Sequence, residues 1–452
     1  MPTRHFYQAK LREKVFLLLM ISLVVTLIVD TSIVKINDLV DRYFVPFQTK
    51  LLLFSVNSIF CMLLQFLIIK SVQGTAKPGA SGARTGLIGS YKIFGVVLFS
   101  LSALIGFLIF EQAYFDFYET WISILIIAIS YSAASGLIIW LSLLFLSWYR
   151  TSHNRIVFLY FVSMSIISFN LIMTSAFVSA KVSDRPPIAV EYIGSSGDIS
   201  SGRHLLLENF YQATSFASFF SIWLTTAILM KSYRERHLRA LVSWIILGLP
   251  FVYFLLTYFH RSLLGAVLEP FARSDPLIVL IVVGIFLSLS KPMGGLVFGI
   301  AFWKISRIVS YEKNIRTYMT ISGWGIFLVF SANQAAGQVV NPYPPFGLAT
   351  ITALVTGAYF MLLGIYNSAV SVSTNNLLRG TIYRRAMESR LLGIIGQAEM
   401  ESEIERVVKS VTEKPVFDDL EKQQPIEVDK KELKNYLDFV MREVKKGNPD
   451  SI

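Results

Sequence analysis

Residues 121–147, WISILIIAISYSAASGLIIWLSLLFLS, run without a single charged side chain. A hydrocarbon core of roughly 30 Å is crossed by about 20 helical residues, whereas a barrel strand needs only about 10, strictly alternating. The stretch has the length of the first and lacks the alternation of the second, so it reads as a transmembrane α-helix. Nine other segments share its character: approximately 15–34, 51–69, 93–110, 156–180, 210–230, 241–259, 276–303, 317–337 and 347–368. Together they predict an all-α integral membrane protein with about ten transmembrane helices.

Composition agrees. Of 452 residues, 54% are apolar and 16% charged, against about a quarter charged in ordinary soluble domains, which excludes an ordinary soluble enzyme. The last 82 residues hold 29 charged side chains and the first 370 only 42. Three regions follow: a basic N-terminus at 1–14, a polytopic membrane domain at 15–370 and a charged tail at 371–452.

Orientation follows from Lys and Arg, which are retained on the cytoplasmic side of short loops. With the N-terminus cytoplasmic, the inner segments before the tail carry 18 basic residues and the outer loops 8. The outer loop bearing Glu111, Asp116 and Glu119 has no base, and 338–346 has no charge. Both termini are therefore expected in the cytoplasm and the protein in the cell membrane. Tyr114, Tyr118 and Trp121 on one side, and Trp148, Tyr149 and Trp303 on the other, sit where aromatic belts form, or simply pack. The basic start before Val15 lacks a small-residue cleavage site after its apolar run, so it reads as a retained signal anchor. The net charge of +11 belongs to the membrane domain and suits anionic lipid, so the bilayer is the expected partner and nucleic acid is not. The single cysteine, Cys61, excludes an intrachain disulfide.

The inner loop KSVQGTAKPGASGARTG lacks the GK[ST] ending of a phosphate loop and reads as a linker. The tail predicts two helices separated by a linker near 412–428, where Pro415 and Pro425 fall. In the first, Leu391, Ile395, Ala398, Ile404, Val407, Val408 and Val411 recur near helical spacing, with Gly393 and Gly396 weakening the middle. In the second, Asp429 and Glu432 resemble a capping box. There Leu433, Leu437, Val440 and Val444 lie on an apolar stripe that must be buried on the same chain or on a cytosolic protein partner.

Ionisable groups within spans cost roughly 2.5–3.5 kcal/mol on insertion scales, so each needs a reason. Lys291 lies in IFLSLSKPMGGLVFGIAFW beside Pro292, Gly294 and Gly295. In one reading these three break the eighth span and the lysine lines a site, as transporter helices do. In the other, the span ends near 295, Lys291 reaches the inner interface, and 296–303 lies along the membrane surface. If the span is broken, Asp30, Asn57, Asn170 and Gln334 are the available polar partners. Asp30 is otherwise an interfacial carboxylate near Lys35. Asn57, Gln65, Asn170, Asn333, Gln334 and Gln338 are candidates for hydrogen bonds between helices. Gln334 and Gln338 share a face leading into the proline-rich turn NPYPPFG.

Enzyme chemistry is not expected. His5, His153, His204, His237 and His260 form no metal spacing, and there is no GxSxG elbow. No catalytic, cofactor or metal residues are predicted.

The stretches SANQAAGQVVNPYPPFGLATITAL (331–354) and LLGIIGQAEMESEIERVV (391–408) resemble a group of uncharacterised multi-pass membrane proteins of ammonia-oxidising archaea. The resemblance covers the last two spans and the start of the tail. It implies a cell-membrane protein and carries over no site residue.

Two functions are compatible with these features. One is a sensor, scaffold or assembly factor whose tail helices contact a partner, supported by the run from the tenth span into the tail. The other is a secondary transporter with its site at a broken eighth span around Lys291. An inverted repeat of five spans would pair the third span with the eighth, and the third carries no matching Lys or Pro.

Overall fold

The computed structural model describes residues 2–40, 47–75, 85–115, 119–183, 205–237, 240–258, 286, 289–308, 313–335, 344–374 and 390–413. Among them the regular elements are all helices: α1 (Pro2–Val40), α2 (Phe47–Thr75), α3 (Thr85–Phe115), α4 (Thr120–Ser152), α5 (Arg155–Ser183), α6 (Leu205–His237), α7 (Ala240–Tyr258), α8 (Ser290–Ile308), α9 (Lys313–Gln334), α10 (Leu348–Thr374) and α11 (Arg390–Glu413). Seven stretches are long and apolar enough to cross a membrane: Lys14–Ile33, Gln48–Val72, Lys92–Phe115, Thr120–Ser152, Arg155–Ser183, Leu205–Met230 and Leu348–Ser373. Side chains such as Leu18, Leu52, Ile93, Val96 and Phe99 are between 66% and 68% exposed. Apolar surface on that scale suits lipid rather than water.

Contacts divide the chain into Met1–Met400 and Glu401–Ile452. Of the second unit, the described part is the helical stretch from Glu401 to Glu413.

In the first unit, α9 and α10 make the most extensive helix pair. α9 is buried on every face from Ile321 to Asn333, and α10 from Leu348 to Ile365. Glycine explains how closely they approach. A Cβ on Gly325 would lie 2.6 Å from Met361 N and 2.8 Å from Gly357 O. The other side of α9 meets α8 in the same way, since a Cβ on Gly299 would lie 2.7 Å from Gly323 O. Such small-residue contacts let helix backbones touch where lipid supplies no hydrophobic drive. Around this trio, α1, α2, α3 and α4 contact α10, α5 packs between α4 and α6, and α6 reaches α8.

The first half of α11 packs onto this body. Leu391, Leu392, Ile395 and Ala398 are at most 2% exposed. Gly396 lies against Val372 of α10, and Trp148 Nε1 donates to Glu399 Oε2 at 2.7 Å. Gly396 therefore serves as a contact as well as a weak point in the helix. Trp148→Phe should speed amide exchange across 390–400 about tenfold, a loss of about 1.4 kcal/mol from one partly buried charge-assisted bond. Unchanged exchange would assign the docking to apolar packing alone.

Three expectations need correction. The eighth span is expected over 276–303, and its described helix, Ser290–Ile308, continues past 303; 259–285, 287 and 288 lie outside the described residues. Second, 296–303 does not lie along the membrane surface: Gly299 packs on Gly323 and the Trp303 ring sits 4.9 Å from Trp324. Third, Pro292, Gly294 and Gly295 do not break a helix, because α8 runs unbroken through them. Pro292 falls in the first turn, where a missing N–H is tolerated. Gly294 accommodates the Phe219 ring, and a Cβ on Gly295 would lie 2.8 Å from Phe330 Cβ. The turn precedes these residues: Leu289 N donates to Phe286 O at 3.3 Å, and Met293 N to Leu289 O at 2.9 Å. The linker near 412–428 lies outside the described residues beyond Glu413, as do Leu433, Leu437, Val440 and Val444.

Candidate functional site

Two groups of buried polar side chains lie at the same end of the bundle, where α2, α4, α6, α8 and α10 begin. The first is built on five helices. Tyr131 of α4 donates its hydroxyl to Asn333 Oδ1 of α9 at 3.4 Å. Asn333 Nδ2 donates to Asn170 Oδ1 of α5 at 3.1 Å, and Asn170 Nδ2 to Thr214 Oγ1 of α6 at 3.1 Å. Thr214 donates in turn to the Tyr211 carbonyl at 3.1 Å. The Tyr211 hydroxyl accepts from Lys291 Nζ of α8 at 3.4 Å. Hydrogen bonds between membrane helices average about 0.6 kcal/mol. Four such bonds specify the packing more than they stabilise it.

Lys291 is 8% exposed. Its ammonium lies 5.5 Å from the centroid of the Tyr211 ring, which stacks on Phe177 at 4.6 Å. The ammonium has three donors, and the one hydrogen bond it makes among the described residues is long. Among the described residues no carboxylate lies within salt-bridge distance. The nearest acid along α6 is Glu208, one turn from Gln212, and it pairs with Lys181 at 3.5 Å. Lys291 also sits in the first turn of α8, which contains no acidic residue. Unpaired N–H groups make that end of a helix electropositive, so the lysine adds to a positive field.

The second group centres on Asp30, and here the expectation of an interfacial carboxylate is corrected. Asp30 is 1% exposed. Its Oδ2 accepts from Gly347 N at 3.1 Å, Thr350 N at 3.3 Å and Thr350 Oγ1 at 2.5 Å. A carboxylate on α1 thereby caps the N-terminus of α10 from another helix. Gly347, at φ 88°, adopts the left-handed conformation that turns the chain into α10. Asn57 approaches the same carboxylate, yet Asp30 Oδ1 and Asn57 Nδ2 each lack a partner with hydrogen-bond geometry. One and two turns along α2 from Asn57 come Cys61, 3.7 Å from Ala349 O, and Gln65. Gln65 donates to Thr352 Oγ1 at 3.1 Å and accepts from Thr356 at 2.7 Å.

Of the predicted residues, Asn333 joins Asn170, whereas Lys291 and Asp30 bind different partners. Gln334 is half-buried at the end of α9, and Gln338 lies outside the described residues. None of the four partners anticipated for Lys291 bonds to it, and Tyr211 does. Tyr131, Tyr211, Thr214 and Thr350 went unread in the sequence, because neutral hydroxyls in a span carry no penalty large enough to mark them. Among the described residues no three His, Cys, Asp or Glu side chains gather as metal ligands. The donors near Lys291 are ammonium, amide and hydroxyl, a set suited to a polar or anionic organic ligand. Compared with known protein families, curated proteins and solved structures, the chain matches none.

Proposed function

We propose that the protein is a secondary transporter of ten transmembrane helices, with both termini cytoplasmic and a solute site at Lys291. The observation that supports it is a lysine 8% exposed within the bundle, bonded to a tyrosine of another helix. Such a residue is expensive in a membrane and marks substrate or ion pathways. The three spans beyond the seven apolar ones are α7, α8 and α9. α9 is enclosed by protein, so it has no need of a lipid-compatible surface.

Lys291→Met keeps the length and removes the charge. Cells expressing the wild type should differ in at least one small-molecule pool, inside or in the medium, from cells expressing the variant at equal level, by about tenfold in its flux. Identical pools in the two strains would overturn transport. The topology has its own test. Reporter fusions at Ser196 should read external and at Ala80 cytoplasmic, and either one reversed would invert or break the ten-span order.

A second reading, a sensor or scaffold, is favoured by the contact of α11 with α4 and α10 through Trp148, Glu399 and Gly396. In that role a change at the Lys291 end passes along α10 to the tail and to a cytosolic partner. Its distinguishing result is an unchanged set of pools together with a partner captured by the wild-type tail and lost in Leu437→Asp.

A further inference from the structure

Asp30 uses its two oxygens unequally. Oδ2 accepts from Gly347 N, Thr350 N and Thr350 Oγ1, so the start of α10 fills it. Oδ1 is buried and takes no hydrogen bond. Asn57 of α2 approaches the same carboxyl group, and its Nδ2 is buried and also without a partner. A leftover acceptor and a leftover donor therefore belong to neighbouring side chains on two helices. Buried polar atoms left over in a fold ask for an explanation, and a carboxyl group inside a span asks most.

The helices packed on α1 are α2, α9 and α10, and none of them contains an acidic residue. From α2 come Cys61, one turn along from Asn57 and 3.7 Å from Ala349 O, and Lys50, two turns before Asn57 and engaged in an interaction of its own. The ionisable groups of α10, Tyr359 and Tyr366, lie at least nine residues beyond Thr350. Those of α9, Lys313, Arg316 and Tyr318, fall in its first two turns, at the opposite end from the start of α10. The carboxyl group thus meets one positive field, the N-terminus of α10, and meets it through Oδ2. This geometry suits two charge states. When ionised, Oδ1 accepts from the Asn57 amide; when protonated, it donates to the Asn57 carbonyl after the amide turns over, because asparagine carries both groups. Oδ2 remains an acceptor for α10 in either state.

We propose that Asp30 is a proton-binding site within the membrane body, with Oδ1 as the atom that takes the proton and Asn57 as its partner. A proton from water adds to Oδ1, one O–H bond forms, the carboxylate becomes a neutral acid, and release reverses the step. A proton needs no cavity, whereas a solute or a metal ion does. A metal cation would also stand beside the electropositive start of α10 with a single carboxylate to hold it. Exchangeable groups continue from the site along α2 and α10: Gln65, two turns from Asn57, donates to Thr352 and accepts from Thr356. In the transport proposed above the proton is the coupling ion, and that assignment alone rests on the reading of the protein as a transporter.

The test is infrared difference spectroscopy on the full-length protein in liposomes, titrated between about pH 4 and 9, a range that brackets ordinary and strongly perturbed carboxyl groups. The wild type should show the carbonyl band of a protonated acid, growing reversibly as pH falls. The band should move when the aspartates carry a carbon-13 carboxyl, which separates it from Glu111, 7% exposed near the end of α3. Asp30→Asn should remove the band. Asp30→Glu should keep it but make it insensitive to the aspartate label, and this variant decides if thermal melting shows that Asp30→Asn is not folded. Asn57→Leu should change the proton affinity at least about threefold, the effect of one hydrogen bond. The proposal is overturned if no label-sensitive band appears, if the band stays constant across the range, or if it survives in Asp30→Asn or keeps its label sensitivity in Asp30→Glu. An unchanged midpoint in folded Asn57→Leu overturns the placing of the proton on Oδ1. Loss of the band at constant pH when sodium replaces choline overturns the site in favour of a metal cation. A titrating Asp30 without any Lys291-dependent pool would leave the proton site standing and remove transport. A Lys291-dependent pool without a titrating Asp30 would do the reverse, and one unchanged in Asp30→Asn would remove the coupling.

Discussion

Replacing Asp30 with alanine should lower the stability of the membrane body by about 3–5 kcal/mol, because it leaves three buried hydrogen-bond donors without their acceptor. The carboxylate holds two backbone N–H groups and one hydroxyl at the start of α10. α10 is buried on every face from Leu348 to Ile365, so no water replaces the lost acceptor, and each orphaned donor costs about 1–3 kcal/mol. Asp30→Asn keeps an oxygen that can accept and should lose only about 1–2 kcal/mol. Thr350→Val removes the hydroxyl alone and should lose about 1 kcal/mol. Denaturation of the purified protein in mixed micelles gives the order. Asp30→Ala within about 0.5 kcal/mol of the wild type would show that the cap contributes little.

The same residue shows what the sequence could and could not disclose. Asp30 and Lys291 stood out because a charge in an apolar run is expensive wherever its partner lies. The partners could not be read, because they are set by which helices touch. Gly347 and Thr350 are more than 300 positions from Asp30, and nothing local links them. The turn NPYPPFG was legible as a turn, but its role in presenting the start of α10 to α1 depends on packing.

The extent of α8 beyond 303 was not legible for a related reason. A hydropathy criterion ends the segment before Lys304 and Arg307. That criterion measures suitability for lipid. The α8 face bearing Gly295 and Gly299 meets α9 instead. The tail was legible where local periodicity sufficed, as for the α11 residues Leu391, Ile395 and Ala398.

Gly325→Leu should be the most damaging substitution away from any polar group, with a loss of about 3 kcal/mol or more of stability and a matching fall in folded yield. A Cβ at 325 would lie 2.6 Å from Met361 N and 2.8 Å from Gly357 O. Both are backbone atoms inside a helix, so neither can turn aside as a side chain would. The obstruction is mutual, since a Cβ on Gly357 would lie 2.9 Å from Val329 N and 3.0 Å from Gly325 O. Relief requires α9 and α10 to separate. That movement would pull Asn333 from Asn170 at one end of α9 and disturb the Gly299 contact with α8 on its other face. Melting temperature and folded yield should therefore fall together in Gly325→Leu, and Gly325→Ala should lie between it and the wild type. Gly106 and Gly136 are the controls, because a Cβ at either meets nothing within 4 Å. Alanine there should be neutral or stabilise by about 0.5–1 kcal/mol, the ordinary gain of replacing helical glycine. A Gly325→Leu protein that melts like Gly106→Ala would mean that α9 and α10 are not in backbone contact.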